Sequence, residues 1–165
     1  MELWDARDRD GNLVGCDLIR GETISDGLYH MVCEVIVRHT DGEFLLMQRD
    51  FSKNHYPGLY EATAGGAALK GEDAYQCVRR ELLEETGIAC EEFHLFDVIV
   101  SERKYSIYYQ FSCETSCDKQ SIQLQEGETV SFRWVSLQQL KEMLDSGEIV
   151  PATKERMRKY LVQVL

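Results

Sequence analysis

The sequence predicts an α+β protein, a mixed β-sheet flanked by helices in an α/β/α sandwich. Three observations carry this. Short apolar, β-branched runs recur along the chain, each closed by turn residues. One strongly patterned helical stretch, residues 72–86, interrupts those runs rather than following them. Two further helical patterns come at the end, after the last strand run. At 165 residues, with no repeat, low-complexity tract or linker, the chain reads as one domain, 1–165.

The elements follow in order. Residues 2–7 and 13–19 flank Asp8-Arg9-Asp10-Gly11-Asn12, which reads as a hairpin over about 1–20, packed down by Leu3 and Trp4. His30 to Arg38 is a strand, and Asp41-Gly42 turns it into a second, Glu43 to Gln48. Residues 50–58 form a loop, and a short extended piece leads to Gly65-Gly66. The first helix runs from about Glu72 to Thr86, with Ala74, Val78 and Leu82 as its core stripe. Glu72 and Asp73 sit near its positive end, and Gly87 caps it. Phe93–Ser101 and Lys104–Cys113 form another strand pair. Residues 114–127 make a long polar loop, either disordered or bordering a site. Thr129–Val135 is a strand, and Ser136-x-x-Gln139 is a capping box for the next helix. The last helix, Thr153–Val164, carries Lys154, Arg156, Arg158 and Lys159, read as a solvated face before a binding patch.

The composition excludes several functions. The net charge of −11 opposes binding to a nucleic-acid backbone or an anionic membrane. No apolar run approaches the roughly 18 residues of a membrane span. The acidic start, Met1-Glu2-Leu3-Trp4-Asp5, has no signal-peptide core, so the expected compartment is the cytoplasm. The six cysteines are scattered and read as reduced thiols, most of them buried. Cys113-x3-Cys117 has metal-like spacing, but no second pair completes a zinc site.

The most informative stretch is Gly66-x5-Glu72-x7-Arg80-Glu81-Leu82-x-Glu84-Glu85, followed by Gly87-Ile88. Offsets of three and four share a helix face, so Glu81, Glu84 and Glu85 crowd one another. Such crowding calls for a positive partner, and a hard cation such as Mg²⁺ takes oxygen ligands. An acidic solvated face is the plainer reading of the three glutamates alone. The full pattern is too specific for chance at roughly 5–7% per residue type.

This pattern resembles the signature of the Nudix hydrolase family, and residues 66–88 fill every fixed position. Gln48-Arg49, Pro57 through Glu61, Gly65-Gly66 and Trp134-Val135-Ser136 resemble the family's flanks, so the likeness spans nearly the whole chain. The resemblance implies the Nudix fold and a Mg²⁺- or Mn²⁺-dependent hydrolase. Its substrate would be a nucleoside diphosphate linked to another moiety, or a similar organic diphosphate. It implies that Glu81, Glu84, Glu85 and the Gly65 carbonyl hold the metal, with Glu72 and Arg80 behind them. The general base is open among Glu85, Glu126 and Glu128, with Glu128 favoured and surface charge the plain alternative for the loop pair. Arg49 and Lys53 are candidate phosphate contacts, against a simple exposed strand end. Tyr60, Tyr105, Tyr108 and Tyr109 offer faces to a base, although core packing is the commoner fate of strand aromatics. Partners are then a small phosphorylated substrate, no nucleic-acid polymer and no membrane. The hairpin also offers an edge for a homodimer.

Two other readings are set beside this. The N-terminal layout also resembles Nudix relatives of isopentenyl-diphosphate isomerase, with His30 where a metal histidine would fall. Ala64 stands near the isomerase cysteine, and Gly66 and Thr23 near its other histidines, which removes that chemistry. A non-catalytic nucleotide-binding module would have no need of an intact acidic box with Arg80.

Overall fold

The computed structural model describes residues 1–165. Its elements are β1 (Leu3–Arg7), β2 (Leu13–Ile19), β3 (His30–His39), β4 (Phe44–Arg49), β5 (Tyr60–Glu61) and β6 (Thr63–Ala67). Then follow α1 (Ala74–Thr86), β7 (His94–Ser101), β8 (Ser106–Thr115), β9 (Thr129–Val135), α2 (Leu137–Leu144) and α3 (Pro151–Val164). The seven-stranded sheet runs β5-β4-β3-β8-β7, with β6 paired to β3 and β9 to β4. The β3–β8 pair is parallel and the others are antiparallel, so the sheet is mixed, as the sequence predicts.

Strand alternation divides the core. On β3, Met31, Cys33, Val35 and Val37 pack with Val78 and Leu82 of α1. Ile36 points the other way, into a second cluster with Leu140, Met157 and Leu161 of α2 and α3. The sheet therefore lies between α1 and the α2/α3 pair. No helix is long and apolar enough to cross a membrane.

Helix α1 starts two residues later than the sequence suggests. Asp73 is its N-cap, accepting from the Gln76 amide, while the Gln76 side chain accepts from the Asp73 amide. Glu72 lies outside the helix, where it accepts the Leu69 amide at 2.8 Å. Gly87 takes the left-handed cap at φ 77°, as expected. The α2 capping box also forms as read, between Ser136 and Gln139.

The β1–β2 hairpin forms and docks beside the box rather than standing alone. Asp5 accepts the Gly71 amide at 2.7 Å, and Lys70 donates its amide to the Leu3 carbonyl at 2.9 Å. Trp4 stacks on His30, with centroids 4.2 Å apart. The hairpin thus fixes the loop that enters α1.

The basic face of α3 is partly solvated, with Arg158 and Lys159 exposed as expected, but its cations are also paired. Arg156 Nε lies 2.7 Å from Glu34 Oε2, and Lys159 Nζ lies 2.5 Å from Asp97 Oδ2. Lys154 and Arg158 donate to the Ser146 and Leu144 carbonyls. These cations staple α3 to the sheet and to the end of α2. The 114–127 loop is also packed. Ile122 is buried, Gln123 donates its amide to the Thr86 carbonyl, and Trp134 Nε1 donates to the Lys119 carbonyl. All six cysteines are free. Cys33, Cys77 and Cys113 are buried, but Cys16 is exposed.

Candidate active site

The three box glutamates occupy one side of α1, and Arg80 organises two of them. Its Nε and Nη2 donate to the two Glu72 oxygens at 2.6 and 3.0 Å. Its Nη1 donates to Glu81 at 2.8 Å and to Glu84 at 3.2 Å, and its Nη2 also reaches the Ala67 carbonyl at 3.1 Å. Glu72 thus acts through Arg80, and the guanidinium is the counter-charge that the crowded acids require. Glu84 is the most exposed of the three, with half of its side chain accessible.

Glu85 turns instead toward β6 and accepts the Gly65 amide at 3.2 Å. Although the residue keeps some accessible surface, its carboxyl is enclosed. Burial, and then the nearby Glu81 charge, push it up to about 8. Glu81 is also raised, chiefly by burial and against the pull of Arg80. Two enclosed carboxylates in this state favour either a proton or a cation.

The glycines serve two ends. A Cβ at Gly65 would stand 2.1 Å from the Cys33 carbonyl oxygen, so the β3–β6 pairing alone demands glycine there. A Cβ at Gly66 would stand 2.5 Å from Glu81 Oε1, so that glycine makes room for the carboxylate. The donor set fits a hard divalent ion by its chemistry, with three carboxylates and the Gly65 backbone close together. As placed, Glu81 and Glu84 are turned to Arg80, and no three acidic side chains converge on one point. A cation would compete with the guanidinium for them.

The remaining candidates lie around this centre. Arg49 donates to Glu61 Oε1 at 3.1 Å and to the His55 carbonyl at 3.0 Å. Lys53 is ion-paired with Glu128. Both candidate phosphate contacts are therefore held by acids whose charges reach Glu85. Glu126 is exposed. Tyr60 lies under Arg133, Tyr105 donates to Asp26, and Tyr108 lines a cleft. His30 is packed between Trp4 and Ser106, whose Oγ is 2.7 Å from Nε2, and burial lowers it to about 4. That is a structural histidine, and Ala64 is a core residue.

Sequence reasoning missed Glu61, Glu34 and Gln110. Glu61 stands in the flanking motif, so its position alone could have drawn notice. Glu34 interrupts an apolar strand on the face shared with Ile36, and a charge on a buried face is a signal in itself. Glu34, Glu61, Arg49 and Arg156 line a cleft of about 680 Å³ between the sheet and the start of α3. Neither this cleft nor a second one of about 530 Å³ is lined by a fixed residue of the 66–88 box.

The NUDIX domain model matches residues 28–154. An uncharacterized Nudix hydrolase of Listeria monocytogenes is 29% identical over 92% of this chain and 89% of its own length. A prenyl-diphosphate phosphatase of Methanosarcina mazei is 28% identical over 92% of this chain and 91% of its own. Among solved structures, a Deinococcus radiodurans protein superposes with a TM-score of 0.73 at 18% identity, covering 96% of this chain and 99% of that one, a likeness of fold. The matched family span, the intact box and these relatives together establish that the chain belongs to the Nudix hydrolase family, as a Nudix-type diphosphate hydrolase.

Proposed function

We propose that the chain hydrolyses the diphosphate of a nucleoside diphosphate linked to another moiety, or a similar organic diphosphate, with Mg²⁺ or Mn²⁺. The observation that carries this reading is the set of box carboxylates beside Gly65, two of them enclosed and raised in proton affinity. Glu81, Glu84, Glu85 and the Gly65 carbonyl would hold the ion. Bound there, it would neutralise phosphoryl charge and lower the pKa of water.

The chain's own residues supply the rest. Arg80 keeps the acids in place. Arg49 and Lys53 exchange Glu61 and Glu128 for phosphoryl oxygens when substrate enters. Water attacks one phosphorus, and the bridging P–O bond breaks as the new P–O bond forms. The water proton passes to a carboxylate, and two phosphorylated products leave. Glu128 is the base we favour, because it is open to water and its charge reaches Glu85. Glu85 is the box alternative.

The Methanosarcina mazei relative makes an isoprenoid diphosphate the second substrate reading. Phosphorus NMR on a panel of diphosphates with Mg²⁺ tests the proposal. Phosphate or phosphomonoester release that stops on chelation is expected. Isopentenyl diphosphate rearranged without any release would favour the isomerase reading instead.

A further inference from the structure

Three of the six cysteines gather near the end of β8, outside the acidic box. Cys113 is buried on β8, and Cys90 and Cys117 pack half-buried against its cluster. The Cys113 thiol donates a hydrogen bond to the Cys90 sulfur. As a thiol, Cys90 itself donates to the Glu92 carbonyl at 3.3 Å and to the Glu114 carbonyl at 3.8 Å. Cys90 stands in the irregular connector between α1 and β7, where the backbone is held by no helix or strand ladder. Cys113 lines the cleft of about 530 Å³, so the pair borders a space open to small molecules.

The two thiols are biased in opposite directions. The Cys113 hydrogen bond, helped by the backbone of Glu92 and Glu91, brings Cys90 down to about 6 against its partial burial. The same hydrogen bond, and then burial, pushes Cys113 up. A thiolate is the nucleophile in disulfide exchange, and a thiol that ionises near the ambient pH attacks best. An accessible attacking sulfur thus has a second sulfur directly behind it. Cys33 and Cys77 also face each other, but both are fully buried. Cys117 is held by its backbone, with its carbonyl on His39 and its amide on Thr115. The cleft mouth carries Glu91, Glu92 and Glu114 against Arg38 and His94, which favours a cationic reagent over an anionic one.

We propose that Cys90 and Cys113 form a disulfide-exchange site for small cationic disulfides, closing into a bridge that clamps the α1–β7 connector to β8. The Cys90 thiolate attacks one sulfur of the reagent. A mixed disulfide forms on Cys90, the reagent's S–S bond breaks, and one thiolate leaves and takes a proton from water. Cys113 then loses its proton to solvent, and its sulfur attacks the Cys90 sulfur. The Cys90–Cys113 bond forms as the second reagent thiolate leaves. Two protein thiols are oxidised, and one small disulfide is reduced to two thiols. The sulfurs must close to about 2 Å, a movement the irregular connector allows. The site stands independently of the hydrolase reading, because neither cysteine belongs to the box.

The test uses the full chain with Cys16→Ser, which removes an exposed thiol on β2. Cystamine is added near pH 7, free thiols are counted over time, and peptides are mapped by mass spectrometry. Loss of two thiols, no retained cysteamine and a Cys90–Cys113 bridged peptide pair are expected. Cys90→Ala should slow the reaction by about 10-fold or more, and Cys113→Ala should stop it at a cysteamine adduct on Cys90. Anionic glutathione disulfide should react about 10-fold more slowly than cystamine. The bridged protein should unfold about 5 °C higher than the reduced one, and dithiothreitol should reverse the shift. The mapping and the thermal shift can be read on the wild-type chain as well, so they stand even where a variant fails to fold. Cys90 left reduced while another thiol is consumed, glutathione disulfide reacting as fast as cystamine, or an unchanged unfolding midpoint in bridged protein would overturn the proposal.

Discussion

Glu85→Gln is expected to abolish turnover while making the metal-free protein more stable. The two effects share one cause. Glu85 is enclosed beside Glu81, and its carboxyl is pushed from 4.5 up to about 8. Each tenfold change in proton affinity is worth about 1.4 kcal/mol, so ionised Glu85 is a substantial burden on the fold. Glutamine keeps the shape and can still accept the Gly65 amide, but it carries no charge. The expected gain is about 1–3 kcal/mol near pH 8 without metal. The expected loss of kcat is about 10²–10⁴-fold, whether Glu85 serves as ligand or as base.

The sign of the pH dependence follows. Above 4.5 an unfolded Glu85 has released its proton, whereas the folded one holds it up to about 8. The folded state then binds more protons than the unfolded state. Stability of the metal-free wild type should fall as pH rises across that window. Denaturant unfolding in a chelator should show this slope in wild type and a flatter one in Glu85→Gln. Equal slopes would contradict the burial of that charge.

The second large effect belongs to Arg80. Its guanidinium meets Glu72, Glu81, Glu84 and the Ala67 carbonyl, with its side chain only 23% exposed. Arg80→Met removes the counter-charge and leaves Glu72 and Glu81 facing each other unpaired. A loss of about 2–4 kcal/mol is expected, below the fully buried case because some solvent remains. Turnover should fall as well. Arg80→Lys should recover only part of the stability, since a single ammonium cannot fork across Glu72 and still reach Glu81. Thermal unfolding of both variants, with and without Mg²⁺, separates the terms. Full stability in Arg80→Met would show that the network carries no net weight.

Much of this was readable before the fold. The strand runs, the Gly87 cap and the Ala74-Val78-Leu82 stripe depend on local periodicity, which a sequence displays directly. The box was readable because seven fixed identities cannot be mistaken for a surface pattern. The start of α1 was misplaced because Glu72 and Asp73 are both good N-terminal residues, and Arg80 and the Leu69 amide take Glu72 out of the helix. The α3 cations looked like surface charge because their partners, Glu34 and Asp97, lie more than fifty residues away in sequence. Gln110 was invisible for the same reason. It meets Glu34 only through a parallel β3–β8 register that no local pattern announces.

Hydrolysis at phosphorus is the central claim, and isotope placement tests it most directly. A cleaved diphosphate is incubated with the protein and Mg²⁺ in ¹⁸O-labelled water, and the products are weighed by mass spectrometry. One ¹⁸O in a single phosphoryl product, absent with chelator and in Glu85→Gln, is the predicted result. Label in the organic alcohol, or an isomerised diphosphate with no label at all, would contradict the account.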